Sequence, residues 1–180
     1  MRVISGKAKG VTLKTPDGML TRPTTDRVKE ALFSIIQFDT PGAKVLDLFG
    51  GTGQLGIEAL SRGAKYAVFV DSNKSACTMI RENLKRTRLE ESAKVVCADY
   101  ADFLKKSGET YDIILLDPPY AEKFLENALK LITEIDILQS GGIIVTERSA
   151  DKELDVNFPG CTRSKDYKYA KTILTIFRKD

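Results

Sequence analysis

Four consecutive aliphatic residues, followed by a carboxylate and two prolines, constrain the fold more than any other stretch. Residues 113–116 (Ile-Ile-Leu-Leu) predict a strand buried on both faces of a sheet, as in parallel α/β proteins. The strand ends at Asp117, because Pro118 and Pro119 lack backbone donors and have a fixed φ. Ligands bind at the carboxyl ends of strands in open α/β sheets, so Asp117 is a candidate site residue. The alternative, that Asp-Pro-Pro only turns the chain, stays open at this point.

The chain from residue 44 onward alternates strand and helix patterns, which is typical of a largely parallel sheet. Strands are predicted at residues 45–49, 67–70, 94–97, 111–116 and 143–146, and helices at residues 55–61, 75–88, 100–105 and 122–135. Gly141 and Gly142 are expected to turn the chain into the fifth strand. Residues 164–178 predict an antiparallel closing hairpin. We therefore expect an α/β fold with a doubly wound, mostly parallel, Rossmann-like sheet.

An N-terminal extension precedes this sheet. Residues 1–15 alternate basic and apolar positions and predict a short hairpin, and a helix capped by one of two threonines, Thr24 or Thr25, follows. We expect the extension to occupy residues 1–40 and the main domain residues 41–180. Its basic side chains either grip phosphates or are simply solvated, and the sequence leaves both interpretations open.

The composition excludes several kinds of chemistry. The chain has no histidine, which removes Ser-His and Cys-His nucleophiles and the usual zinc sites, so we expect no metal. Three widely spaced cysteines are typical of reduced thiols in a cytoplasmic protein. No apolar run approaches the ~20 residues of a membrane span. The net charge of +3 permits a polyanionic partner without requiring one.

A predicted strand that runs into a glycine-rich turn indicates a cofactor site. The pattern Gly51-x-Gly53-x-x-Gly56 matches the dinucleotide fingerprint, and Asp71 follows Gly51 by 20 residues. An acid at that position can accept hydrogen bonds from ribose hydroxyls. In NAD proteins the helix N-terminus holds a pyrophosphate, which Asp47 would repel. Asp47 instead suits a cationic ligand such as S-adenosylmethionine.

Carboxylates end four successive predicted strands: Asp47, Asp71, Asp99 and Asp117. Each alone is more often a turn or cap residue, but four in one crevice favour the methyl donor over NAD. Asp99 is placed to accept from the adenine N6 amine. The candidate cofactor-binding residues are Asp47, Phe49, Gly51, Gly53, Asp71, Ser72, Asp99 and Tyr100.

Two motifs resemble those of class I methyltransferases. Residues 47–53 (Asp-Leu-Phe-Gly-Gly-Thr-Gly) are similar to their first motif, and residues 117–120 (Asp-Pro-Pro-Tyr) to the [Asp/Asn]-Pro-Pro-[Tyr/Phe] motif of enzymes that methylate amino groups. Residues 2–6, 22–33 and 56–63 resemble the RsmD family, bacterial methyltransferases of the guanine N2 amine in small-subunit (16S) ribosomal RNA. The similarity continues to residues 168–172. Three positions depart from the family pattern: Gly50, Thr52 and Ala170.

The resemblance implies methyl transfer to an exocyclic amine. Asp117 and the carbonyl of Pro118, in a loop with Pro119, would hold the N–H bonds, while Tyr120 would stack on a base taken out of its helix. Glu147 either lines the base pocket or is a solvated strand end. The candidate RNA-binding residues are Arg2, Lys7, Lys9, Arg22, Thr25 and Arg27, with Lys29 beside them. The expected partner is ribosomal RNA within a small-subunit particle or assembly intermediate, and the protein is expected to be a cytoplasmic monomer.

Three other functions remain open from the sequence. An adenine-N6 methyltransferase of DNA or RNA is one, because Asp-Pro-Pro-Tyr recognises an amine rather than a whole base. A NAD-dependent oxidoreductase is another, supported only by the glycine spacing. A non-catalytic RNA-binding module that kept the fold is the third.

Overall fold

The computed structural model describes residues 1–16, 24–119, 123–154 and 159–180, and these contain a seven-stranded sheet. Its strands are β1 (Lys44–Asp47), β2 (Tyr66–Asp71), β3 (Ala93–Cys97), β4 (Tyr111–Leu116), β5 (Leu138–Ser149), β6 (Cys161–Tyr169) and β7 (Thr172–Lys179). Their spatial order is β3-β2-β1-β4-β5-β7-β6. Strands β1 to β5 are parallel, and β7 is antiparallel to both its neighbours. The predicted α/β sheet with an antiparallel C-terminal hairpin is confirmed.

Helices cover both faces of the sheet. They are α1 (Thr24–Ile35), α2 (Gln54–Ser61), α3 (Lys74–Thr87), α4 (Tyr100–Lys106) and α5 (Phe124–Ile135). Residues of the extension, α1, α2 and α3 share one apolar cluster, and residues of α4 and α5 share the other. Within the residues that the structure describes, no helix is long and apolar enough to cross a membrane.

The fifth strand differs from its prediction. It begins at Leu138 rather than after the two glycines, and the register shifts between the pairs Tyr111–Leu138 and Ile113–Ile143. Gly141 has a φ of +73°, a left-handed conformation that glycine adopts without steric cost. The glycines therefore form an irregularity inside the strand, and the predicted turn before it was wrong.

The N-terminal extension forms the predicted short hairpin, and the loop of this hairpin bonds to α2. Its antiparallel pairing includes the bridge between Arg2 and Thr12. Its backbone also bonds to α2: the Ile4 and Ser5 N–H groups donate to the Glu58 carboxylate at 2.8 and 3.0 Å. The extension thus shares a core with the sheet, and the domain boundary at residue 40 stays a prediction.

Helix α1 runs alongside α2 in the same direction. Midway along α1, Lys29 pairs with Glu58, and one turn later the Phe33 ring lies 5.1 Å from the Arg62 guanidinium carbon. Helix α2 follows β1 and so begins at the edge where β1 to β5 end, which we call the carboxyl edge. The first turn of α1 therefore also lies toward the carboxyl edge.

Candidate active site

A cavity of about 410 Å³ opens at the carboxyl edge. It lies where the sheet topology reverses, with β2 on one side of β1 and β4 on the other, the usual ligand position in such sheets. It is lined by Leu48, Phe49, Gly51, Asp71, Ser72, Ala98, Asp99, Tyr100, Asp117, Pro118, Pro119 and Phe124. Sequence-predicted cofactor and catalytic residues therefore share one cavity, which we call the first cavity.

The glycine-rich turn after β1 is held against the end of β2. The Gly50 N–H donates to the Val70 carbonyl at 2.9 Å, and the Gly51 N–H donates to Asp71 Oδ2 at 2.8 Å. A Cβ on Gly56 would lie 2.3 Å from the Phe69 ring, so only glycine lets α2 approach β2 this closely. The turn can therefore present backbone to a ligand without a side chain in the way.

Asp71 both braces the glycine turn and faces the first cavity. Its Oδ2 accepts from Gly51, and its Oδ1 accepts from the Asn73 N–H at 2.8 Å. Each carboxylate oxygen has a second lone-pair direction, so this fixed carboxylate can also accept from a ligand's hydroxyl groups.

Asp99 caps helix α4 at the other side of the same cavity. Its Oδ1 accepts from the Ala101 and Asp102 N–H groups at 2.8 and 3.4 Å. Because both capping bonds use Oδ1, they hold the carboxylate in place while Oδ2 takes no part in them. Asp99 can therefore be a helix cap and a ligand acceptor at once.

Three aromatic rings form the apolar wall of the first cavity. The centroid of the Phe49 ring lies 5.3 Å from Tyr100 and 6.2 Å from Phe124, and the latter two are 5.9 Å apart. Such a wall suits a flat heteroaromatic group. Phe124 was missed from the sequence, although an aromatic residue at the start of a helix just after Asp-Pro-Pro was a usable signal.

Asp47 lies behind the glycine turn. Its side chain is 1% exposed, its Oδ2 accepts from the Gly56 N–H at 3.0 Å, and neither it nor Gly53 lines the first cavity. Burial raises the pKa of Asp47 to about 7; the nearby charge of Asp71 adds to this, and the Gly56 hydrogen bond opposes it. Asp47 is placed to brace α2, and its predicted role as a direct cofactor ligand stays a prediction.

The Asp-Pro-Pro loop separates the first cavity from a second one. Pro118 and Pro119 line both, and the second cavity, of about 190 Å³, also has Glu147 in its wall. It lies between this loop, the start of α5 and the end of β5. Of the two interpretations of Glu147, a base-pocket residue or a solvated strand end, its position beside a cavity next to the predicted catalytic loop favours the first. Tyr120 lies outside the described residues.

The predicted RNA-binding residues do not form one group. Arg27 is exposed in the first turn of α1. The exposed Arg2 lies next to the same turn, with its Nε 3.9 Å from Asp26 Oδ2. Exposed Lys7 and Lys9 lie in a loop at the end of α2, far from the carboxyl edge, where the Lys7 N–H donates to the Ser61 carbonyl. Arg22 and the side chain of Thr25 are outside the described part of the chain.

Lys29 was wrongly predicted to join this exposed cluster. Its side chain is buried, with Nζ 3.5 Å from Glu58 Oε2 and donating to the Arg2 carbonyl at 2.6 Å. Burial lowers the pKa of Lys29, while the Glu58 charge acts in the opposite direction. The residue holds the extension to α2 and cannot reach a phosphate.

The described ranges contain no group of three or more His, Cys, Asp or Glu side chains arranged to hold a metal ion. The first cavity is lined by carboxylates, the glycine turn, two prolines and aromatic rings.

This fold and the carboxylate-lined cavity at its switch point define a class I methyltransferase. The model of the family described as Conserved hypothetical protein 95 matches residues 1–178. The chain belongs to this family, the RsmD family of methyltransferases.

Several known proteins are similar over most of their length. The chain is 40% identical to YlbH of Bacillus subtilis, over 99% of both chains. It is 34% identical to "Ribosomal RNA small subunit methyltransferase D" of Escherichia coli, over 86% of this chain and 77% of that one. The solved structure of yhhF from Escherichia coli matches with a TM-score of 0.90 and 29% identity, over 100% and 98% of the two chains.

Proposed function

We propose that this protein transfers a methyl group from S-adenosylmethionine to the N2 amine of a guanine in small-subunit (16S) ribosomal RNA. The observation that carries the proposal is the position of Asp117, Pro118 and Pro119 in the wall of the first cavity. These residues put amine acceptors directly beside a cofactor-sized, carboxylate-lined space. The relatives named small-subunit RNA methyltransferase D support the substrate.

The residues of the first cavity fit S-adenosylmethionine. Asp71 is positioned to accept from the ribose hydroxyls, and Asp99 from the adenine amine. The rings of Phe49, Tyr100 and Phe124 offer the adenine an apolar wall. When bound, the cofactor supplies an electrophilic methyl carbon, whose bonding pair returns to sulfur as the nitrogen lone pair forms the new bond.

The protein's own contribution is placement and electrostatics. The Asp117 carboxylate and the Pro118 carbonyl accept the two N–H bonds of the amine, which turns its lone pair toward the methyl carbon. The same acceptors stabilise the positive charge that develops on nitrogen. The surplus proton leaves after transfer, to water or to Asp117, so the absence of histidine is no obstacle. Tyr120 is proposed to stack on the base.

Among the predicted RNA contacts that the structure describes, Arg2 and Arg27 lie nearer to the proposed reaction than Lys7 and Lys9, because the first turn of α1 lies toward the carboxyl edge. Lys7 and Lys9 would contact a more distant part of a large RNA or particle. We propose a small-subunit particle or assembly intermediate as the substrate, supported by the names of the relatives, and a cytoplasmic monomer as the enzyme.

The proposal is tested by methyl transfer with identification of the product. Small-subunit particles lacking the modification are incubated with the protein and isotope-labelled S-adenosylmethionine, and the RNA is digested for mass spectrometry. We expect labelled N2-methylguanosine at one position. Label on adenine N6 would favour the alternative methyltransferase, and no transfer to any RNA would contradict the proposal.

A further inference from the structure

Asp117 and Glu147 lie side by side at the carboxyl edge. Leu116, the last residue of β4, pairs with Thr146 of the parallel strand β5, so Asp117 and Glu147 each follow one member of that pair. Such strands are about 4.8 Å apart. The register therefore places Asp117, just after the end of β4, at the level of Glu147 in β5, which continues beside β7 to Ser149.

The two carboxylates border different cavities with a common wall. Asp117 lines the first cavity and Glu147 the second, while Pro118 and Pro119 line both. The N1–H and N2 amine of guanine lie on neighbouring ring positions, so a base held through its amine at Asp117 can direct its N1–H to the side of the shared proline wall where Glu147 lies.

The end of β5 that carries Glu147 is held rigidly. The neighbouring Arg148 is buried, and its Nη2 lies 2.8 Å from Asp166 Oδ2. Arg148 Nη1 also donates to the Lys152 carbonyl at 2.5 Å, which ties the following loop to the strand. Glu147 is thus placed by a strand whose next residue is anchored, as a recognition group requires.

The chemistry of a second carboxylate distinguishes the two amine-bearing bases. Guanine carries the donor N1–H next to its N2 amine, whereas adenine carries an unprotonated, lone-pair-bearing N1 next to its N6 amine. An ionised carboxylate only accepts hydrogen bonds. It therefore matches the guanine edge and repels the adenine edge, and enzymes read an extruded base through this Watson–Crick edge.

We propose that Glu147 accepts a hydrogen bond from N1–H of the target guanine and thereby selects guanine over adenine. This inference rests on the proposed function and names the group that would recognise its substrate. Asp117 holds the reacting amine, and Glu147 determines which base presents it.

The test removes the guanine N1–H donor and the Glu147 acceptor separately. Once the target is mapped, small-subunit RNA is assembled by ligation with guanine or 2-aminopurine at that position. The analogue keeps the reacting amine but lacks N1–H. For the wild-type protein we expect kcat/KM to be about 10- to 100-fold higher with guanine, the size of a hydrogen bond to a charged group.

Glu147→Ala should remove this preference by lowering kcat/KM for the guanine RNA alone. The kcat/KM for the 2-aminopurine RNA should change less than about threefold. Glu147→Gln should retain part of the guanine rate, because its amide carbonyl still accepts. The exposed Glu91→Ala serves as the matched control and should keep the wild-type preference. An unchanged dissociation constant for S-adenosylmethionine shows that the variants are folded.

The outcomes separate the inference from the function on which it rests. Equal loss with both substrates, or an unchanged preference in Glu147→Ala, would overturn the recognition role of Glu147. A wild-type protein that methylates neither substrate would instead contradict the proposed function.

Discussion

Lys29 and Glu58 form a buried ion pair that joins α1 to α2, with Nζ 3.5 Å from Oε2 and side-chain exposures of 1% and 0%. Glu58 also accepts from the backbone of Ile4 and Ser5 and from Arg62 Nε at 2.8 Å. A buried carboxylate with this many donors is well compensated, and removing Lys29 takes away one of its two cationic partners. The pair therefore holds the extension against the sheet.

Lys29→Ala should lower the free energy of unfolding by about 3 kcal/mol, because it removes one of the two cations that pair with the buried Glu58 carboxylate. Urea denaturation measures this loss. Lys14→Ala is the matched control, since it breaks an exposed ion pair with Glu82 at 2.7 Å and should cost little. Equal losses in the two variants would contradict the importance of the buried pair.

Gly6 should tolerate no side chain. A Cβ there would lie 1.8 Å from the Ser61 carbonyl oxygen, and the residue has a φ of +84°. Gly10 has nearly the same φ, +85°, with nothing within 4 Å of a Cβ, so Gly10→Ala isolates the conformational cost of about 1–2 kcal/mol. Gly6→Ala should lower the melting temperature clearly more than Gly10→Ala. Matching melting temperatures would show that the extension does not pack on α2 as described.

The raised pKa of Asp47 makes stability depend on pH. Its pKa is about 7 in the folded protein against an ordinary value of 3.8, so the folded state binds the extra proton between these values. Its contribution to stability is complete below pH ~4 and is lost as the pH rises through about 7, by up to ~1.4 kcal/mol per pH unit. Asp47→Asn does not titrate, so it should become more stable relative to wild type as the pH rises from 4 to 7. Denaturant titrations at several pH values measure this difference, and a constant difference would refute the assignment.

The order of strands and helices was predictable from the sequence, because apolar periodicity and turn residues act locally. The cluster at the carboxyl edge was predictable too, since parallel topology brings strand ends such as those at Asp71 and Asp117 together. The burial of Lys29 was not, because it arises from the packing of α1 on α2, and both its position and its charge suggested exposure. The position of Asp47 before the glycine-rich turn likewise indicated a ligand. Its hydrogen bond from the Gly56 N–H could not be predicted, because it depends on how closely α2 packs against the end of β1.

We propose that Asp117 acts on the substrate amine and that Asp71 belongs to the cofactor site. Calorimetric titration with S-adenosylmethionine, combined with methyl transfer to small-subunit particles, tests it in Asp117→Ala and Asp71→Ala. The exposed Asp151→Ala, which lines neither cavity, is the control.

Asp117→Ala should reduce transfer at least about 10²- to 10³-fold at saturating cofactor, with the dissociation constant of S-adenosylmethionine changed less than about threefold. Asp71→Ala should act mainly on cofactor binding. The dissociation constant of S-adenosylmethionine should rise at least about tenfold, because the variant loses both the ribose acceptor and the hydrogen bond to the Gly51 N–H. An Asp117→Ala protein that keeps most of its transfer activity would contradict the account.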